Sequence, residues 1–143
     1  GLLGEYISSK EDVLLPATGA REAIDNRAWQ LLAGFVLTGE DAGYRGVARP
    51  NHPFTVGSAG WGAWELVARY GELEIDDAAF PVFADPNAVA QRAKSWALGV
   101  NWYLTGNFKL VANYTQTDFD GGAAAGADRE DEKAFFTRAQ FSF

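Results

Sequence analysis

The 143-residue chain has no cysteine, one histidine and no apolar run that could serve as a membrane-spanning helix. Each absence excludes something. Without cysteine there is no disulfide framework and no thiolate metal site, which suits an exported protein and a cytosolic one equally. The longest apolar stretches are broken by Glu, Arg, Asn or Gln far short of the ~18 residues a transmembrane helix requires, so a helical membrane protein is excluded. The sole histidine, His52, sits between Asn51 and Pro53 with no serine motif nearby, which argues against a Ser-His-Asp hydrolase. No catalytic residue is assigned, and the chain is read as a non-enzyme. A net charge of −7 speaks against a nucleic-acid partner. The chain opens at Gly1 without a basic region or an apolar leader, and reads as a processed product or a fragment.

What is present is aromatic and periodic. Six segments alternate with a two-residue period, the signature of β-strands. The first, residues 1–8, is short and reads as a truncated strand. The second, 27–38, sets Trp29, Leu31, Ala33, Phe35 and Leu37 against Gln30, Leu32, Gly34, Val36 and Thr38. The third, 61–75, places Trp64, Leu66, Ala68 and Tyr70 opposite Glu65, Val67 and Arg69. The fourth, 95–104, has Trp96, Leu98, Val100, Trp102 and Leu104 on one face and Ser95, Ala97, Gly99, Asn101 and Tyr103 on the other. After the short connection 105–107, Phe108, Leu110, Ala112 and Tyr114 alternate with Lys109, Val111, Asn113 and Thr115. The sixth, 133–143, sets Phe135, Thr137, Ala139, Phe141 and Phe143 against Phe136, Arg138, Gln140 and Ser142.

Two architectures fit this alternation: a soluble β-sandwich, and a barrel whose outer face meets lipid. The apolar faces carry Trp29, Trp64, Tyr70, Trp96, Trp102 and Tyr114 near strand ends, as aromatic girdles at a bilayer interface do. The opposite faces carry Glu65, Arg69, Asn101, Lys109, Asn113, Arg138 and Gln140, which suits a hydrated lumen. Phe135, Phe141 and the terminal Phe143 keep the register of the ending by which outer-membrane assembly machinery recognises many barrel proteins. The reading is therefore all-β, a transmembrane antiparallel β-barrel of which six strands are visible.

The connections are predicted at 9–26, 39–60, 76–94 and 118–132, with a tight turn at 105–107. Short turns of such barrels face the periplasm and long loops the exterior. Segments 76–94 and 118–132 are then extracellular, and 39–60 becomes an unusually long periplasmic connection. Within 76–94, Phe80, Pro81, Val82 and Phe83 either fold inward or pack over the barrel mouth. The acidic segment holds Asp118, Asp120, Asp128, Glu130, Asp131 and Glu132 without the regular spacing of a calcium loop, so no metal site is assigned. Residues 121–126 are glycine-rich, yet no Gly-Lys-Ser or Gly-Lys-Thr follows, which excludes a phosphate loop.

Particular motifs carry a family likeness. Leu37-Thr38-Gly39-Glu40, then Trp61-Gly62-Ala63-Trp64-Glu65-Leu66, then Gly99-Val100-Asn101-Trp102-Tyr103-Leu104, with Thr137-Arg138-Ala139-Gln140-Phe141 at the end, resemble the C-terminal portion of the phosphate-selective porins in order and spacing. The resemblance implies a sixteen-stranded outer-membrane barrel, commonly a homotrimer, embedded among lipid and lipopolysaccharide and passing small anions such as phosphate without a cofactor. Residues 1–143 would be the C-terminal part of that barrel domain. Arg69, Lys109 and Arg138 are the candidates for anion selectivity; the plainer alternative has Arg69 pairing with Glu65 or a neighbouring strand and stiffening the wall. A non-conducting structural or surface-binding barrel would share the strand pattern.

Overall fold

The computed structural model describes residues 1–43 and 46–143. Among the described residues eight strands form, in chain order: β1 (Leu2–Leu14), β2 (Arg21–Val36), β3 (Ala42–Gly43), β4 (Gly46–Val47), β5 (Ala63–Glu74), β6 (Ala90–Tyr103), β7 (Phe108–Gly121) and β8 (Glu132–Phe141). Six of them make one antiparallel sheet in the order β1-β2-β5-β6-β7-β8, and β3 and β4 form a small separate hairpin. Every neighbour in the large sheet is next in sequence except β5, which follows β2 after the connection that carries β3 and β4. The sheet has two free edges, β1 and β8.

β1, β2, β6 and β7 outrun the apolar segments from which they are legible, whereas β5 and β8 fall short of the expected 61–75 and 133–143, so that Phe143 lies past the end of the last strand. β1 spans 13 residues and pairs along its whole length with β2, so it is not truncated. The connection expected at 9–26 contracts to residues 15–20, closed where the amide of Leu15 donates to Ala20 O at 2.8 Å and that of Gly19, at φ 66°, donates to Leu15 O at 2.8 Å. β6 starts four residues before Lys94, and β7 continues to Gly121. The physical reason is common to all three: where both faces of a strand meet water, as along Ser8, Ser9, Lys10, Glu11 and Asp12, apolar alternation stops although backbone pairing does not. The short turn at 105–107 is present, and the Thr105 hydroxyl accepts from the amides of Asn107 at 3.2 Å and Phe108 at 3.1 Å. Leu104, expected on the apolar face of the fourth strand, instead begins this turn and is buried.

The sheet is a single layer. Among the described residues no second sheet covers its apolar face, and Phe35, Leu98, Phe135 and Phe141 are each more than half exposed. A soluble sandwich would bury these side chains between two layers. The small buried cluster lies on the other face, where Val47 of β4 packs with Ala63 and Tyr103 and with the partly buried Val36.

Candidate functional site

Cross-strand register decides which residues share a face, because directly opposed side chains project to the same side. Trp64 opposes Trp102, Leu66 opposes Val100, Ala68 opposes Leu98 and Tyr70 opposes Trp96. Tyr114 opposes Phe135 and Phe108 opposes Phe141. On β1, Tyr6 opposes Trp29. The apolar faces of all six strands therefore coincide.

On that common face the aromatics fall into two rows, six residues apart on every strand from β2 to β8. One row contains Trp29, Tyr70, Trp96, Tyr114 and Phe135; the other contains Phe35, Trp64, Trp102, Phe108 and Phe141. The rings touch within each row: Trp29 and Tyr70 lie 5.4 Å apart, Trp96 and Tyr114 5.5 Å, Trp64 and Trp102 4.9 Å and Phe108 and Phe141 4.3 Å between centroids. Six residues correspond to about 20 Å along a strand. Between the rows this face carries no charged residue, only Leu, Val, Ala, Gly and Thr137. Each row also steps. Trp29 is opposed by Glu72 and Trp96 by Gln116, yet the row continues two residues away at Tyr70 and Tyr114. Phe35 and Trp102 are opposed by Leu66 and Leu110, and the second row continues at Trp64 and Phe108, displaced in the same direction.

Beyond the first row the same face turns abruptly ionic. Arg92 reaches Glu72 and Glu74, each at 3.1 Å, and Asp120 at 3.5 Å, while Lys94 meets Asp120 at 3.5 Å. On β2, Asp25 binds Arg27 at 3.0 Å and Lys10 at 3.5 Å. The Arg27 hydrogen bond, helped by the Ser8 hydroxyl, holds the Asp25 carboxyl below the usual aspartate range. Asp76, past the end of β5, is lowered by the amides of Ala78 and Asp25. Strand geometry thus continues past the apolar band into a polar surround.

The second face holds all seven polar residues singled out from sequence. Glu65 and Asn101 oppose each other, as do Lys109 and Gln140; Asn113 faces Gly99, and Arg138 faces Val111. Glu65 is 7% exposed and accepts from Asn101 Nδ2 at 2.9 Å and from the Tyr103 hydroxyl at 2.8 Å. It does not pair with Arg69, which faces Leu32 and Ala97. Among the described residues Arg69, Lys109 and Arg138 form no ion pair; Lys109 Nζ lies 5.3 Å from the Tyr103 ring centroid. Between the aromatic rows this face has three basic side chains and two acidic ones, Glu5 and Glu65, and Glu5 accepts a hydrogen bond from Gln30.

Sequence reasoning missed the element that folds over this face. The β3–β4 hairpin lies against Tyr103, and Gly46 approaches so closely that a Cβ there would overlap the Tyr103 hydroxyl. Glycines at 39, 43 and 46 were the available signal. The connection is fixed at its ends by Leu37 N to Trp64 O at 2.8 Å, Phe54 N to Leu104 O at 2.7 Å and Gly62 N to His52 O at 2.8 Å. His52 thus contributes a carbonyl. A cavity of about 580 Å³ remains between hairpin and wall, lined among others by Leu3, Leu32, Val67, Asn101, Tyr103 and Lys109.

Comparison with known proteins agrees with this geometry. Residues 5–143 match the family model described as phosphate-selective porin O and P. The chain is similar to Porin O of Pseudomonas aeruginosa, with 27% identity over 140 residues, covering 97% of this chain and 31% of that protein. It therefore spans about a third of the length of that curated relative. No solved structure matches the chain.

Proposed function

This chain belongs to the phosphate-selective porin O and P family, and from that membership we propose that it forms part of an outer-membrane β-barrel through which small anions, phosphate among them, diffuse passively. The aromatic-rowed face then meets lipid, and the face bearing Arg69, Lys109 and Arg138 lines the lumen. The remaining strands of a sixteen-stranded wall come from the rest of the protein and occupy the free edges of β1 and β8. As in other porins of this kind, three such barrels assemble, and the wall stands among lipid and lipopolysaccharide after insertion by the assembly machinery, for which Phe135, Phe141 and Phe143 are the signal.

One observation carries the anion reading: the lumen-side bases have no carboxylate partner among the described residues, while the one buried acid is committed to Asn101 and Tyr103. Free positive charge in a confined aqueous path lowers the barrier for anions. The overall charge of −7 does not oppose this, because the acids gather in the loops and the ionic surround beyond the aromatic row. Three residues separate Arg138 from each aromatic row, whereas Arg69 lies one residue from the first row and Lys109 one from the second. The bases thus serve three depths. The β3–β4 hairpin, at the end of the tight turn, narrows the path from the periplasmic side; passage needs no cofactor and no chemical turnover.

Reversal potentials of the full-length protein in planar bilayers, measured across a salt gradient, test the reading. Anion preference supports it; cation preference refutes the anion reading, and no conductance at all leaves a structural or surface-binding barrel.

A further inference from the structure

Two residues beyond the first aromatic row, on the same face, every strand of the large sheet carries a polar side chain: Ser8, Arg27, Glu72, Lys94, Gln116 and Lys133 in strand order. Three are bases and one is an acid. Two residues farther out the balance reverses, with Lys10 and Arg92 against Asp25, Glu74 and Asp118 on the strands and Asp131 just before β8. The charge is layered, positive next to the apolar band and negative about 7 Å beyond it. The opposite end of the band has no counterpart. Two residues past the second row the chain carries Leu37, Gly62, Leu104, Gly106 and Phe143, none of them charged.

The three bases are accessible. Lys133 is exposed and forms no ion pair among the described residues, Arg27 is exposed beside Asp25 at 3.0 Å, and Lys94 reaches Asp120 only at 3.5 Å. Glu72, the acid of this level, keeps its charge and is met by Arg92 at 3.1 Å. Exposed ion pairs hold their partners weakly, so these bases are open to exchange for a stronger anion. Phosphate is one, because its oxygens take charge-assisted hydrogen bonds from Arg and Lys. Spacing favours a lipid over a free ion. Arg27, Lys94 and Lys133 each stand two strands and two residues from the next, about 12 Å between Cα atoms. That suits separate phosphates side by side at one depth, as a leaflet presents them, more than a single ion between two bases. The depth agrees, since aromatic rows mark the headgroup level.

We infer that Arg27, Lys94 and Lys133 form a basic collar that binds the phosphate groups of lipopolysaccharide around the wall. The inference rests on the lipid-facing assignment made under Proposed function and gives that lipid a site on named residues. It also sets the first row, at the end away from the tight turn, in the lipopolysaccharide leaflet. Each Lys or Arg beside an anionic lipid surface contributes about fivefold in affinity.

The experiment measures binding of fluorescent bisphosphoryl lipid A, and of the same lipid with its phosphates removed, to the full-length protein in neutral detergent. Wild type is expected to prefer the phosphorylated lipid, and R27Q/K94Q/K133Q to bind it at least about tenfold more weakly while the phosphate-free lipid binds the two proteins alike. Should the triple variant fail to fold, Lys133→Gln alone is expected to cost about fivefold. Equal binding of the two lipids by wild type overturns the inference, as does a preference that survives in the folded triple variant or in Lys133→Gln. A wild-type protein that stays folded and soluble without detergent overturns the lipid-facing assignment itself, and the inference with it, so the two failures are distinguishable.

Discussion

The Tyr103 hydroxyl donates to Glu65 Oε2 at 2.8 Å, and Tyr103 is the side chain against which Gly46 and Val47 pack. The wall and the hairpin that covers it therefore share one hydrogen-bonded residue. Tyr103→Phe leaves Glu65 with Asn101 alone, so stability should fall by about 1.5–3 kcal/mol, the net worth of one hydrogen bond to a charged acceptor. Denaturant unfolding of the detergent-solubilised protein measures this; an unchanged midpoint would contradict the assigned role.

Gly46 sits at φ 87°, and a methyl group there meets the Tyr103 hydroxyl. Gly46→Ala is expected to displace the hairpin from the wall and raise single-channel conductance. Equal conductance in the variant would mean that the hairpin does not narrow the path.

Charge reversal separates the two faces. Arg69→Glu, Lys109→Glu and Arg138→Glu should each shift the reversal potential toward cations, whereas Lys94→Glu, among the ion pairs of the opposite face, should leave it in place. A shift of similar size from Lys94→Glu would remove the distinction between lumen and exterior.

Leu98 is 57% exposed on the isolated sheet. Were that face in water, Leu98→Arg would change stability by about 0.5 kcal/mol or less. In lipid near mid-depth the cost rises to about 2–4 kcal/mol. Folded fraction in bilayers, compared with Asn113→Arg on the opposite face, discriminates between the two.

Asp76 accepts from the amides of Asp25 and Ala78, which hold its carboxyl below the usual range near 3.8. A lowered acid contributes stability above its unfolded pKa and loses it as pH falls through the lower folded value. Protease access to residues 76–89 should therefore rise only on acidification below about 3.8, and Asp76→Ala should make that segment accessible at neutral pH. Equal cleavage of the variant and wild type at pH 7 would exclude the tether.

How much of this was legible in sequence follows from what lipid or core demands of a strand. From Trp29 to Phe35 or from Trp96 to Trp102, one face must be apolar, so a two-residue period emerges and both faces could be assigned residue by residue. From Ser8 to Asp12 no such demand exists, and the strand was invisible although its backbone bonds are complete. The β3–β4 hairpin has two-residue strands, too short to carry any period. Arg69 was given Glu65 or a neighbouring strand as partner, but four residues along a strand separate the Arg69 and Glu65 side chains by about 13 Å. Asn101, directly across from Glu65, was within reach. Pairing is a property of register, and register is set by neighbours distant in sequence.

The two-residue steps in both aromatic rows have a geometric consequence. If each row lies level with the bilayer surface, two steps of two residues over the four interstrand gaps from β2 to β8 incline the strands by about 35° to the membrane normal, at the lower end of the range for outer-membrane barrels. A strand that leans this way drifts sideways by about two strand widths between one row and the other. A loop at the top of a hairpin consequently stands over different neighbours from those beside the foot of the same strands.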